Sequence, residues 1–175
     1  MQSLMSLSVL LLTLASPIQA PTPTLEMLRA RAQERMRQDL ATYSAQDLRT
    51  LEELYQTANR NLNGPDAKDI LRRVVAGYPK SNRAGSAVLY LAQLSSGAER
   101  EAYLKTAIDA HGDAWYGDGV QVGALARAQL AAFYAAAGRM TEAKALANDV
   151  VERFPGAVDH NGRPLVAMFQ NMKLL

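Results

Sequence analysis

Two segments of the chain, 66–81 and 142–157, align with each other without a gap, and this internal repeat limits the possible folds more than any other feature. The first segment reads DAKDILRRVVAGYPKS and the second reads EAKALANDVVERFPGA. The matched residues are Ala67 and Ala143, Lys68 and Lys144, Val74 and Val150, Val75 and Val151, and Tyr78-Pro79 and Phe154-Pro155. Such repetition is typical of folds that stack equivalent supersecondary units.

Each copy predicts a helix with a defined end. A small residue lies near the start, two valines follow on the expected buried face, and the aromatic–proline pair stops the helix. Proline cannot continue the helical ladder, and it disfavours the helical backbone at the residue before it. From Thr24 onward, apolar residues recur at steps of three and four almost throughout. The sequence therefore predicts an all-α protein.

The first predicted helix, at 25–40, is amphipathic. Its apolar stripe consists of Leu25, Leu28, Ala32, Met36 and Leu40, and its other faces carry Arg29, Arg31, Arg35 and Arg37. Ser44 opens the next helix with Asp47 three residues later, which is the capping-box spacing. The residues NGPD at 63–66 predict a turn.

Helix, short turn and helix ending in proline resemble the tetratricopeptide repeat, whose period is about 34 residues. With Pro155 at the last signature position, a unit spans 124–157. Its matching residues are Leu130, Ala131, Tyr134, Gly138, Ala143, Val150 and Pro155, whereas Arg127 and Ala147 depart from the family pattern. A unit at 48–81 matches at Leu54, Ala67, Leu71, Val74 and Pro79, with its turn glycine displaced to Gly64.

A middle unit at 83–113 matches at Leu89, Gly97 and Ala102 and lacks the closing proline. The step from 83 to 124 exceeds the family period by about seven residues, which places a surplus between the second and third units. The resemblance implies a right-handed solenoid of antiparallel helix pairs, with about three repeats, over a domain at 24–175. A final apolar face at 163–175 predicts a closing helix that covers the end of the stack.

The surplus residues lie in the stretch HGDAWYGDGVQVG at 111–123, which is rich in glycine and holds the only Trp. A dinucleotide-binding loop needs a preceding strand, but the segment 98–110 reads as a helix. We therefore expect a connector in which Asp118 caps the following helix with Gln121 as its partner. Trp115 and Tyr116 would pack on a neighbouring helix pair. The alternative is a loop that uses Trp115, Tyr116 and Asp118 to contact a small ligand.

The resemblance also implies a concave groove lined by the first helix of each unit. Its positions in the first unit are Arg49, Glu52, Gln56 and Asn59, whose long polar side chains could bind a peptide or partner helix. In the third unit they are Leu125, Ala128, Ala132 and Ala135, which predict a shallow apolar floor. The lysine and asparagine set with which co-chaperone members hold a terminal carboxylate is not found. The alternative is that these residues face water or pack on the helix at 25–40.

Residues 1–20 predict a signal peptide. They carry no charge, Leu4 to Leu14 form an apolar run, and Ala15, Ser16 and Ala20 follow as small residues. A basic residue before the run is missing, and a buried N-terminal helix is the alternative. Because the sequence has no Cys, we expect neither disulfides nor a lipid anchor, and a periplasmic or secreted location fits best.

No other sequence pattern indicates a catalytic or metal-binding site. Neither Asp109, His111 and Asp113 nor Asp159 and His160 have the spacing of a metal site, so we predict no metal or cofactor and no enzyme activity. A net charge of +2 gives no support for nucleic-acid binding. The favoured function is protein–protein interaction in the bacterial envelope, as an adaptor or assembly factor. The alternatives are a small-ligand protein or enzyme working around Trp115, and a membrane-surface protein using the Arg-rich helix at 25–40.

Overall fold

The computed structural model describes residues 22–175, and the predicted signal peptide lies outside them. The described chain is all-α, as predicted. Its helices are α1 (Leu25–Thr42), α2 (Ala45–Arg60), α3 (Ala67–Gly77), α4 (Asn82–Gln93), α5 (Gly97–Ala110), α6 (Val122–Ala136), α7 (Met140–Arg153) and α8 (Leu165–Asn171). Extended pairing within 22–175 is limited to two isolated antiparallel bridges.

The ends of the helices follow the local sequence signals. Ser44 caps α2 through the predicted capping box, because its side chain accepts from the Asp47 amide and the Asp47 carboxylate accepts from the Ser44 amide. The helices α3 and α7 both stop at the aromatic residue before proline, at Tyr78 and Phe154. The helix predicted at 98–110 forms as α5. Local chemistry thus determines where these helices begin and end.

The helices pack mainly on their neighbours in the sequence. Short turns join α2 to α3, α4 to α5 and α6 to α7, so the two helices of each pair run antiparallel. The first helices of successive pairs also touch, since α4 contacts both α2 and α6. This arrangement produces two apolar clusters: a small one around Leu51, Leu71 and Val74, and a larger one that includes Leu104, Trp115 and Phe169.

The aligned repeat segments occupy equivalent places in the packing. Ala67, Leu71 and Val74 are the buried residues of α3, and Ala143, Ala147 and Val150 are the buried residues of α7. Ala143 has no exposed surface, as expected for a small residue where two helices meet. The two copies therefore bury the same face of the second helix in each pair.

Arg127, one of the residues that depart from the repeat pattern, is nevertheless buried. Its Nε lies 2.5 Å from Oδ2 of Asp149, and its Nη1 donates to the Gly123 carbonyl at 3.0 Å. Its guanidinium also lies 5.0 Å from the centre of the Phe154 ring. The arginine stem and the guanidinium against the Phe154 ring thus fill space between α6 and the end of α7.

The first and the last helix each differ in one respect from the sequence prediction. The closing helix expected at 163–175 is shorter, at Leu165–Asn171, because residues 163 and 164 are part of an extended connection and Lys173 has a positive φ. The stripe on α1 is also only partly covered: Leu28 and Ala32 are buried, while Leu40 is 69% exposed. The middle of the apolar face of α1 therefore packs on the rest of the protein, whereas its end at Leu40 faces solvent.

Candidate functional site

The glycine-rich stretch forms a small hairpin between α5 and α6. Trp115 and Gln121 face each other as an antiparallel bridge, and the amide of Tyr116 donates to the Val120 carbonyl at 2.8 Å. Gly119 completes the turn with a φ of +95°, a conformation that side chains disfavour. The glycines therefore serve a tight reversal of the chain, and the segment before the hairpin is the helix α5 rather than a strand.

The two aromatic residues of this hairpin are buried, as predicted. Trp115 is 7% exposed and Tyr116 is 6% exposed. Asn82, at the start of α4, fixes the hairpin by donating from Nδ2 to the Trp115 carbonyl at 2.6 Å and accepting at Oδ1 from the Trp115 amide at 2.7 Å. Burial strongly raises the pKa of the Tyr116 phenol. The hairpin is thus an ordered part of the core.

The prediction that Asp118 caps α6 with Gln121 as its partner is wrong. The helix begins at Val122, its N-cap residue is Gln121, and no side chain caps it. The returning arm of the hairpin separates Asp118 from the helix, so its carboxylate cannot reach the first amides. Instead, Oδ2 of Asp118 lies 2.8 Å from Nδ1 of His160, and Oδ1 accepts from the Val120 amide at 3.3 Å.

A second hairpin, between α7 and α8, repeats the first. Val158 faces Pro164 as an antiparallel bridge, and the Leu165 amide donates to the Ala157 carbonyl as the Val122 amide donates to that of Ala114. Equivalent residues of the two hairpins are separated by the same number of positions along the chain. The same separation relates the residues of α5 to those of α7. The sequence signal is an alanine, Ala114 or Ala157, with Asp-Gly at 118–119 or Asn-Gly at 161–162 a few residues later. Sequence analysis overlooked this signal.

His160 joins the two hairpins. Besides its contact with Asp118, its ring lies edge-on to Tyr116 with the ring centres 4.5 Å apart. Tyr116 in turn contacts Tyr90, and Tyr90 contacts Tyr55, with centres 6.2 Å and 6.0 Å apart. This row of rings links α2 and α4 to both hairpins, so these side chains help to hold the four elements together.

The helix α1 lies across the connections between the helix pairs. Arg35 donates to the Lys80 carbonyl at 3.0 Å, before α4, and to the Asp113 carboxylate at 2.9 Å, before α6. Gly119 approaches so closely that a Cβ there would lie 3.2 Å from Leu28. The segment that precedes α1 reaches the third connection, since a Cβ at Gly156 would lie 2.9 Å from Thr22. No sequence pattern indicated this position for α1.

Three of the four predicted groove residues of the first unit share an open depression on α2. Arg49, Glu52 and Gln56 line it with Glu53 and Arg60, and its volume is about 370 Å³. Asn59, also on α2, is half-buried and does not line this depression. We refer to the five lining residues as the α2 depression.

The charges of the α2 depression are partly paired. Both oxygens of Glu52 accept from the guanidinium of Arg83 on α4 at 2.8 Å, and Gln56 donates to Glu52 at 2.7 Å. Burial alone would raise the pKa of the Glu52 carboxyl, but the bonds from Arg83 and Gln56 outweigh it and hold that pKa below its usual value. Glu53 and Arg60 are exposed. The surface therefore offers both acceptors and donors.

The apolar floor predicted on the third unit is only partly present. Leu125 and Ala128 on α6 are buried in the larger apolar cluster, so they cannot form an open surface. Ala132 and Ala135 are half-buried. The prediction took these positions to be open because neighbouring layers cannot be read from the sequence of one helix.

A further cleft lies where α1, the first hairpin and the end of α7 meet, and we call it the arginine cleft. The residues that give it its chemistry are Leu28, Arg31, Trp115, Gln121, Arg153 and Phe154, and its volume is about 240 Å³. Trp115 is thus both packed in the core and part of a cleft wall. Sequence analysis missed this site because Arg31 and Arg153 come from opposite ends of the described chain.

Comparisons with known proteins give no assignment: no family model, curated protein or solved structure matches this chain. Within residues 22–175, no group of three or more His, Asp or Glu side chains is arranged to hold a metal ion. None of the helices in that part of the chain combines the length and apolar character needed to cross a membrane.

Proposed function

We propose that this chain is a tetratricopeptide-like interaction module, exported to the bacterial cell envelope, where it serves as an adaptor or assembly factor without catalytic activity. In this proposal α2–α3, α4–α5 and α6–α7 are the repeats of a right-handed solenoid, and α8 closes it. The matched burial of Ala67, Leu71 and Val74 with Ala143, Ala147 and Val150 supports the repeat assignment.

The observation that carries the binding function is the α2 depression. Its volume of about 370 Å³ is open to solvent, and its side chains come from successive turns of one helix. Arg49, Gln56 and Arg60 can donate hydrogen bonds, and Glu53 can accept them. An extended peptide or a partner helix presents both kinds of group along its length, so it can form several bonds with this surface.

A peptide-binding measurement tests this function. Peptides are selected from a displayed random library, and their affinity for the full chain is measured by fluorescence polarisation. We expect Gln56→Ala combined with Arg60→Ala to weaken binding about tenfold or more, since hydrogen bonds to charged groups are worth about 1.5–3 kcal/mol. Arg73→Ala combined with Glu152→Ala changes exposed charges on α3 and α7 and is the matched control. Unchanged binding by the α2 variant would contradict the proposed site.

Export is tested separately. The protein is expressed from its own coding sequence in a bacterial host, and the periplasmic fraction is analysed by N-terminal sequencing. We expect the mature chain to begin near Ser16 or Pro21, after the small residues that follow the apolar run. Recovery of the chain only in the cytoplasm with Met1 intact would overturn the envelope location.

A further inference from the structure

The arginine cleft carries an excess of positive charge. Arg31 on α1 and Arg153 on α7 line it, and no carboxylate is among its described lining residues. The carboxylate that pairs with Arg153 is that of Asp149, at 3.2 Å, and it also pairs with Arg127, at 2.5 Å. Asp149 is thus shared by two guanidinium groups, and Arg31 is a second cation among the residues that line the cleft. An anion that enters the cleft would gain charge-assisted hydrogen bonds.

The rest of the cleft is apolar and aromatic. Trp115, Phe154 and Leu28 contribute to its wall. The backbone of Trp115 is held by two hydrogen bonds with the Asn82 side chain, one donated by Asn82 and one accepted by it. The guanidinium of Arg153 lies 5.5 Å from the centre of the Phe154 ring. These restraints position the aromatic wall before any ligand arrives, which lowers the entropy cost of binding.

We propose that the arginine cleft binds a small organic carboxylate with a flat apolar body. The carboxylate would lie between the guanidinium groups of Arg31 and Arg153, and the apolar body would lie against Trp115 and Phe154. The volume of about 240 Å³ is slightly below the range of about 300–1,000 Å³ that is typical of pockets for drug-sized ligands, so it suits a smaller molecule such as an aromatic acid. This site is separate from the α2 depression and does not depend on the function proposed for it.

The chain itself provides the probe for this proposal. Trp115 is the only Trp of the sequence, so fluorescence excited selectively at tryptophan, beyond the absorption of the tyrosines, comes from a side chain that lines the cleft. The full chain is titrated with phenylacetate, with phenylacetamide, which has the ring without the charge, and with acetate, which has the charge without the ring. We expect a saturable change in Trp115 emission with phenylacetate, and a dissociation constant about tenfold or more higher for each of the other two.

Single arginine variants distinguish binding in the arginine cleft from a non-specific effect of anions on fluorescence. Arg31→Met and Arg153→Met keep most of the aliphatic stem and remove the charge, and each should weaken phenylacetate binding about tenfold or more. Arg37→Met is the control, since Arg37 is exposed on α1 and pairs with Glu34 outside the cleft. Ligand binding should also raise the melting temperature of the wild type and of Arg37→Met.

Several outcomes would overturn the proposal. These are the absence of saturation with phenylacetate at millimolar concentration, equal binding of phenylacetamide or acetate, and unchanged binding in Arg31→Met. Peptide binding at the α2 depression is measured on the same variants and should not change. Failure of one site can therefore be distinguished from failure of the other.

Discussion

Asn82 holds the backbone of Trp115 by two hydrogen bonds, with its Nδ2 2.6 Å from the Trp115 carbonyl oxygen and its Oδ1 2.7 Å from the Trp115 amide nitrogen. An Asn side chain thereby pairs with the peptide as a neighbouring strand would. Asn82 is 1% exposed, so neither bond can be replaced by bulk water. This contact fixes the first hairpin to the start of α4.

Replacing Asn82 by alanine should therefore destabilise the fold. The variant leaves a buried amide and a buried carbonyl of Trp115 without partners, at a cost of about 1–3 kcal/mol each. We expect the free energy of unfolding in urea to fall by about 2–6 kcal/mol. Asn148→Ala removes an exposed Asn from α7 and should change it by less than about 0.5 kcal/mol. Equal stability of the two variants would show that the Asn82 bonds contribute little.

The elements that sequence analysis predicted correctly are those that local chemistry determines. The Ser44–Asp47 capping box and the aromatic–proline stops act through residues a few positions apart, so they can be recognised without tertiary structure. The repeat copies could also be found, because the buried positions of α3 and α7 are occupied by similar residues.

The errors arose where a local pattern has two structural meanings. Asp118 and Gln121 have the spacing of a capping box, but the residues between them return as the arm of a hairpin. Sequence analysis missed the second hairpin because few of its residues are identical to their equivalents in the first. Gly119 and Gly162 form one of these few identical pairs. The position of α1 and the arginine cleft depend on contacts between distant residues, which no short pattern contains.

The contact between Gly119 and α1 can be tested by adding one methyl group. In Gly119→Ala the new Cβ would lie 3.2 Å from the backbone nitrogen of Arg29 and from Cβ of Leu28. Gly138→Ala is the control, since Gly138 also has a positive φ but has open space around it. Both variants should lose about 1–2 kcal/mol to backbone strain.

Gly119→Ala should lose about 1 kcal/mol more than the control, because its methyl group pushes α1 away from the hairpin. Tryptic cleavage within α1, which contains several arginines, should also become faster in Gly119→Ala and stay unchanged in Gly138→Ala. Equal unfolding energies together with equal cleavage rates would mean that α1 tolerates the methyl group.

Ala143 offers a test of the helix contact within the third pair. It has no exposed surface, whereas Ala145, two positions later on α7, is exposed. Enlarging a residue in a tightly packed contact typically costs about 1–3 kcal/mol. Ala143→Leu should therefore lower the melting temperature by several degrees, at about 2–4 °C per kcal/mol for a chain of this size, and Ala145→Leu should leave it nearly unchanged. Similar melting temperatures would contradict close packing at Ala143.

His111 should make stability depend on pH in a window of its own. Burial lowers the pKa of this imidazole, and the nearby Arg35 adds to the effect, while the Asp113 carboxylate opposes it. The unfolded chain then binds a proton near the ordinary pKa of about 6.5, at a pH where folded His111 is still neutral. The contribution of neutral His111 to the free energy of unfolding is therefore complete above that pH. It is lost as the pH falls from there toward the lower pKa of the folded state.

We expect the free energy of unfolding in urea to decrease between about pH 7 and pH 5, and His111→Gln to flatten this slope. The pKa values of the Glu52 and Glu99 carboxyls are lowered in the folded state, so the stability that they contribute is lost mainly below the ordinary carboxyl pKa of about 4.3, outside this window. His160→Gln replaces the other, exposed histidine and should retain the slope, since His111 is untouched. A slope that persists in His111→Gln would show that another group binds the proton on unfolding.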